Sequence, residues 1–417
     1  MSAPFRHATR IAAFVEAHHQ QQVNFLREIV RVPTDTPPGD NQAAAERAAA
    51  LLLDRGHRVE RHPVPQARVH EYGMRSITNL IVRHRFSEDG PTIALNAHGD
   101  VVPPGEGWTH DPYGGEVVDG RMYGRGVAVS KSDIATFAFA LDALKDLAQA
   151  GAPLRGAVEL HITYDEEFGG LLGPGWLLEQ GLTRPDMVLG PGFSYRIVTA
   201  HNGCLQYEVI VHGQATHGAM PETGHDALHA ATAILNALYG KVPDLAKRRS
   251  QVPGIGTPTL IVGRIEGGTN TNVVPGRVAL RLDRRLIPEE DPSEAEAELR
   301  AVIGGAVAGR DGIRLELRRL LLAKALRPLP GHERLVAALG RHGERVFGEP
   351  IAVGGVPLYT DARLYGEAGI PVVLYGAGPR TVPESGAKRA DEHIELADLR
   401  RATEVVACAL ADLLSGG

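Results

Sequence analysis

The chain has 417 residues, enough for two domains of ordinary size, and its 43% hydrophobic but only 5% aromatic content points to an aliphatic globular core. Forty-four Lys plus Arg against 50 Asp plus Glu give a formal net charge of -6 without a dense basic stretch, which argues against a nucleic-acid partner. The polar N-terminus MSAPFRHATRIAAFVEAHHQ does not read as a signal peptide, and no apolar run approaches the roughly 20 residues that cross a bilayer, so no membrane partner and a cytoplasmic location are expected.

Over the first 200 residues, strand-like apolar runs alternate with amphipathic helical stretches, which predicts a mostly parallel, helix-flanked α/β sheet. The turn-rich VPTDTPPGD reads as a connector. The runs TIALNAHGD, AVELHITYDEE and DMVLGPG each end in Gly with charged or polar residues. In open α/β sheets, ligand-binding groups gather at the carboxyl ends of strands, so these polar clusters lie where chemistry is expected. From about Gly203 the order becomes QYEVIVHG (strand), DALHAATAILNALYGKV (helix), TLIVGRI and VALRLDRRLI (strands), PSEAEAELRAVIGGAV (helix) and RLELRRLLL (strand). That βαββαβ order predicts a ferredoxin-like α+β insert. The α/β pattern then resumes with GHERLVAALGRHGERV, PVVLYGAG and a terminal helix from about Leu396. The expected organisation is a discontinuous catalytic domain, 1–201 and 322–417, interrupted by an insert at 202–321. Cys204 and Cys408 lie far apart and outside any CxxC spacing, so they read as packed thiols and not as a disulfide or zinc site.

His98 and Asp100 in NAHGD form an HxD pair at a strand end. A carboxylate two residues from a histidine can fix its tautomer or orient it as a metal ligand, although a buried structural histidine is equally compatible with the pair alone. Asp165, Glu166 and Glu167 in TYDEEFGG crowd like charges at another strand end; that raises their pKa values and suits a general base, or it marks a solvated strand end.

The ordered set HGDVVP, GEGWTHDPYGGEVVDGRMYGRG, TYDEEFGG, GQATHGAMPETGHDAL, GGTNTNVVPG and TDAR resembles, over nearly the whole chain, one family of dinuclear zinc hydrolases. This is the aminoacylase and glutamate carboxypeptidase group, which includes acetylornithine deacetylase and succinyl-diaminopimelate desuccinylase. The resemblance implies a zinc-exopeptidase-like fold with a dimerising insert. It also implies two zinc ions sharing an aspartate, and a water that a glutamate deprotonates for attack on an amide carbonyl. It makes His98 a ligand of the first metal, Asp100 its orienting carboxylate, Glu166 the general base and Glu167 a ligand of the second metal. His217 in ATHGAMPE matches a histidine that reaches the partner subunit's site to polarise the scissile carbonyl. Asn272 and Arg285 match groups that hold a substrate carboxylate, a role suited to the guanidinium fork.

Three positions depart from the family, and each is a metal-ligand position. Where the family turn reads GRGAxDMKG, this chain has GRGVAVSKSD, with Val129 in place of the bridging aspartate. Pro191 in VLGPGFSY replaces a Glu or Asp, and Lys388 in AKRADEH replaces the final histidine. A catalytic zinc usually keeps three protein ligands, whereas one survives here for each metal, His98 and Glu167. The replacements also keep the local charge near balance: Glu166, Glu167 and Lys388 leave one net negative charge without any metal. Dinuclear zinc is therefore not expected, and the site is left with one divalent ion, zinc or manganese, or with none. Asp133 could serve as a substitute ligand or as the first-turn acid of a helix capped by Ser132. His201, at the hinge into the insert, is a candidate ligand, acid–base or substrate-binding group, and Tyr195 a candidate contact for an anionic substrate.

The expected activity is hydrolysis of a carbon–nitrogen bond, an amide first of all, in a small carboxylate-bearing substrate such as an N-acyl amino acid or dipeptide. Glu166 would act as base, with Lys388 or a single ion supplying positive charge, in a homodimer formed through the insert. Two alternatives stay open: an ordinary dinuclear zinc amidohydrolase with substitute ligands, and a non-catalytic small-molecule binding protein.

Overall fold

A computed structural model of the chain describes residues 7–415. Two compact units emerge among them, one formed by residues 7–199, 328–354 and 360–415, the other by 200–327 and 355–359.

The larger unit is built on an eight-stranded sheet whose strands run, in spatial order, Val59–Pro63, Thr78–Arg85, Ala157–Thr163, Thr92–His98, Met187–Gly190, Val372–Leu374, Arg196–His201 and Ala352–Val356. The four central strands are parallel, while antiparallel pairs add Thr78–Arg85, Val59–Pro63 and Arg196–His201, so the sheet is mixed around a parallel centre. Ala157–Thr163 is buried at every position, its polar Glu159, His161 and Thr163 included, as befits a strand covered on both faces. Helices Ala8–Val30, Lys131–Gln149, His332–Phe347 and Leu396–Leu414 pack on one another beside the sheet. Lys131–Gln149 lies directly against the strands Thr92–His98 and Ala157–Thr163.

One register fact positions the chemistry. Thr92 pairs with Ala157 and His98 with Thr163, so the two strands end level. His98-Gly99-Asp100 therefore emerges beside Tyr164-Asp165-Glu166-Glu167. Gly99 is required there, because a Cβ at that position would lie 2.5 Å from the Tyr164 ring.

The smaller unit has a four-stranded antiparallel sheet in the order Thr259–Gly267, Arg277–Leu286, Gly203–His212, Arg314–Ala323, with helices Ala227–Leu245 and Pro292–Ala306. This is the ferredoxin-like arrangement, and it encloses a separate core that includes Leu205, Val209, Ile234, Leu280 and Ile303. Asp226 and Asp291 cap the two helices by accepting the first free N–H groups.

Two local expectations need correction. Ser132 is not the helix cap: the helix begins at Lys131 after Ser130, and the Ser130 Oγ instead accepts the His98 N–H at 3.1 Å. The VPTDTPPGD segment is more than a connector, because Thr34 Oγ1 donates to the Gly99 carbonyl and Val101 N–H to the Thr34 carbonyl, which braces the HGD turn. Among the described residues, no helix is long and apolar enough to cross a membrane. Cys204 and Cys408 are buried free thiols, each pushed up to about 12 by burial.

Candidate active site

Asp100 organises the centre. It is fully buried, and its two oxygens accept the backbone N–H groups of Glu166 (3.2 Å) and Glu167 (3.0 Å). One carboxylate from the first strand end thereby fixes the short turn that presents both glutamates. Asp100 also faces His98, whose Nδ1 lies 3.3 Å from Oδ1 and 3.1 Å from the Asp100 carbonyl. The Nδ1–H is thereby directed at Asp100, which accepts from it, and Nε2 turns towards Glu166, 3.9 Å away.

The electrostatics follow from this crowding. Burial alone would lower the His98 pKa, but Glu166 and Asp100 outweigh it and hold the imidazolium up to about 10. Burial raises Glu166 to about 8, with Glu167 adding to the rise and His98 and Lys388 opposing it. Lys388 donates to Glu167 Oε2 at 2.7 Å; its side chain remains 57% exposed, while that of Glu167 is only 10% exposed. Burial would lower the lysine, yet Glu167 and Glu166 raise it, so the ammonium stays charged.

The turn that the sequence marks as altered lies against this centre. Glu392 is buried and accepts from Arg125 Nη1 (2.6 Å) and from the N–H groups of Gly126, Ala128 and Lys388. Val129 thus sits between Ala128, which shares Glu392 with Lys388, and Ser130, which is bonded to His98. Its neighbours Ala128, Ser130 and Lys131 are buried, but Val129 is 38% exposed. Lys131 donates to the Val32 carbonyl at 3.1 Å and is lowered to about 8 by burial, against the pull of Asp35 and Glu392. Asp133 is a first-turn acid, buried and raised to about 7, and its Oδ1 accepts the Ala377 N–H at 2.8 Å.

As donors these side chains do not fit a metal pair. Val129 and Pro191 carry no ligand atom, and Lys388 brings a positive charge to the carboxylate that the resemblance assigns to the second metal. Among the described residues, no group of three or more His, Cys, Asp or Glu side chains converges in a way that could hold a metal ion.

The other residues singled out by sequence fall in three places. Tyr195 donates to Asp398 at 2.8 Å, with the Arg380 guanidinium 3.9 Å above its ring; it lines a cavity whose walls include none of His98, Glu166, Glu167 and Lys388. In the smaller unit, His217 and Asn272 are neighbours: Thr216–His217 pairs with Val273–Val274, and the Gly218 N–H donates to the Asn272 carbonyl. His217 Nδ1 accepts the Ala219 N–H at 3.1 Å, so the ring proton sits on Nε2 as a free donor. Arg285 and His201 lie at the opposite end of that unit. Arg285 is level with Cys204, held by Asp283 at 2.7 Å, and its guanidinium lies 5.3 Å from the centre of the Tyr359 ring. His201 is fully buried, with Nδ1 2.9 Å from the Asn202 carbonyl.

Asp361, in the TDAR stretch, is a member of the centre that residue patterns alone did not single out. It is buried, neither of its oxygens has a hydrogen-bond partner among the described residues, and burial raises it to about 6 while His98 opposes the rise.

A family model described as Peptidase family M20/M25/M40 matches residues 94–412. A succinyl-diaminopimelate desuccinylase of Rhodospirillum centenum is 28% identical over 411 residues, covering 94% of this chain and 97% of the relative. One from Gluconobacter oxydans is 30% identical over 273 residues, covering 63% of this chain and 67% of the relative. Among solved structures, the dipeptidase Dug1p of Saccharomyces cerevisiae superposes with a TM-score of 0.78 at 15% identity, over 98% of this chain and 99% of that one. Human carnosine dipeptidase 1 gives 0.74 at 20% identity, again over 98% and 99%. At such identities the superpositions speak for the fold.

Proposed function

Because the chain belongs to peptidase family M20/M25/M40, hydrolases of carbon–nitrogen bonds that typically bind divalent metals, we propose that it cleaves such a bond in a small carboxylate-bearing amide through a metal-free version of the family site. The observation that carries this reading is the 2.7 Å ion pair between Lys388 and Glu167. By the family resemblance, these two positions would both ligate the second metal. Here the ammonium neutralises the carboxylate directly, and Val129 removes the bridge that would have tied a second ion to it.

The chemistry then rests on the chain's own groups. Glu166 in its carboxylate form takes a proton from water as the water oxygen attacks the carbonyl carbon. The His98 imidazolium and the Lys388 ammonium stabilise the oxyanion that forms, which is the electrostatic part of the task. Glu166 returns its proton to the leaving nitrogen, and the carbon–nitrogen bond breaks. Since Glu166 is raised to about 8, turnover is expected to climb with pH through that value.

Arg285 and Asn272 are proposed to clamp the substrate carboxylate, and His217 to donate from Nε2. On one chain they are too far apart to share a small substrate. Arg285 is eight residues along its strand from Arg277, at the end nearer Asn272, which is about 27 Å at about 3.4 Å per residue. This supports a homodimer through the inserts, in which His217 and Asn272 serve the partner's site.

The test is metal content by elemental analysis of protein purified without chelators, combined with kinetics on N-acyl amino acids and dipeptides. We expect well under one metal ion per chain, and turnover that falls about 100-fold or more in Glu166→Gln and in Lys388→Met. Close to two ions per chain, or full turnover by Glu166→Gln, would overturn the reading.

A further inference from the structure

The cavity that holds Tyr195 has no part in the proposed hydrolysis. Its volume is about 380 Å³, within the range of small-molecule sites. One wall is formed by the chain segment from Ala377 to Glu392, which includes Lys388 and is pinned at both ends. At its start the Ala377 N–H is held by buried Asp133, the Gly378 N–H donates to the Gly192 carbonyl at 2.8 Å, and the Gly378 carbonyl accepts the Ser194 N–H at 3.0 Å. At its end Asp391 accepts the N–H groups of Thr109 (2.8 Å) and His110 (3.2 Å), and Glu392 is locked into the altered turn. Between these anchors Arg380, Glu384 and Ser385 line the cavity. Three residues beyond Ser385, the same segment delivers the Lys388 ammonium to Glu167. The cavity wall and Lys388 thus belong to one short segment.

The charges around the cavity are of both signs. Glu384 carries a carboxylate with no ion-pair or hydrogen-bond partner among the described residues; the other two acids are Asp398, which accepts the Tyr195 hydroxyl and lies 3.5 Å from Arg401, and Glu395. Arg121 engages Glu395 through Nε at 2.6 Å, and its fork carries further donors suited to a carboxylate. A compact ligand with an ammonium at one end and a carboxylate at the other matches this pattern, whereas a simple anion would meet three acids and a simple amine two guanidinium groups.

We propose that this cavity binds a free α-amino acid, with its ammonium at Glu384 and Asp398 and its carboxylate at Arg121, and that occupancy sets the placement of Lys388. Its regulatory meaning rests on the reading given above, since an amino acid is the class of product that hydrolysis of an N-acyl amino acid or a dipeptide releases. Binding itself does not depend on that reading.

The experiment uses the full chain and the proteinogenic amino acids as probes, with saturation-transfer NMR and calorimetry for binding and hydrogen–deuterium exchange for location. At least one amino acid is expected to bind saturably with a Kd on the order of 1 mM or tighter. It should slow exchange in peptides covering residues 379–390. Glu384→Gln, a change at an exposed residue, should weaken binding about tenfold or more by removing a charged contact, while Glu166→Gln should leave it intact. The proposal is overturned if none of them binds saturably, if protection appears away from 379–390, or if Glu166→Gln removes the binding while Glu384→Gln spares it. Full turnover by Glu166→Gln would sink the hydrolytic reading and leave this binding result standing.

Discussion

Asp361 sits in the buried centre with 1% of its surface exposed and, among the described residues, no hydrogen-bond partner for either oxygen. Its pKa rises to about 6, mainly through burial, from an ordinary value near 3.8. A carboxyl raised in the folded state adds stability below its unfolded pKa, and that contribution is lost as pH rises through the folded value. Ionised Asp361 therefore destabilises the fold above about pH 6, by up to about 3 kcal/mol for a rise of this size. Asp361→Asn is expected to raise the melting temperature clearly at pH 8 and hardly at all at pH 4. Equal melting curves for the two proteins at both pH values would show that the carboxylate has partners after all. Such a strained group beside His98 and Glu166 fits a site kept for chemistry at some expense of stability.

The turn from Tyr123 to Ser130, which carries Val129, is held from outside its own sequence. Arg125 and Glu392 form an ion pair 2.6 Å long, with both side chains 2% exposed, and Glu392 also takes the Gly126 and Ala128 N–H groups. A buried pair of this kind adds little over an apolar pair, but removing one partner strands the other charge. Glu392→Gln is therefore expected to lower unfolding free energy by about 3 to 5 kcal/mol in urea titration. An unchanged midpoint would mean that the turn is held by other contacts. Because Glu392 also accepts the Lys388 N–H at 3.3 Å, the same variant should disturb the Lys388–Glu167 pair.

At the scale of the whole molecule, the proposed exchange of His217 and Asn272 between subunits makes a prediction that no single chain can satisfy. Glu166→Gln and His217→Ala are each expected to be nearly inactive alone. Coexpressed, they should form mixed dimers in which one of the two sites has both an intact Glu166 and an intact His217. About a quarter of wild-type activity should return if subunits pair at random in a two-fold dimer. Mixed preparations that stay inactive, or a His217→Ala protein with full activity, would rule out the shared site.

Local pattern was enough to read the parallel centre of the sheet, the ferredoxin-like insert and the strand ends that carry His98, Asp100, Glu166 and Glu167, because apolar periodicity and strand-end polarity are written in consecutive residues. Val129, Pro191 and Lys388 were read from the sequence as departures from recognisable motifs, and the ligand roles of those positions come from the resemblance. What needed the folded chain were relations between distant residues. The register of two strands set the Asp100 carboxylate under both glutamates, and a link across 221 positions joined Lys388 to Glu167. Burial singled out Asp361 within an unassigned motif, and packing placed Tyr195 in a cavity of its own. Sequence alone determined which side chains are present and which elements carry them. Only the tertiary structure decided which charges meet, because pKa and ion pairing depend on distance and desolvation, and neither is set by neighbours along the chain.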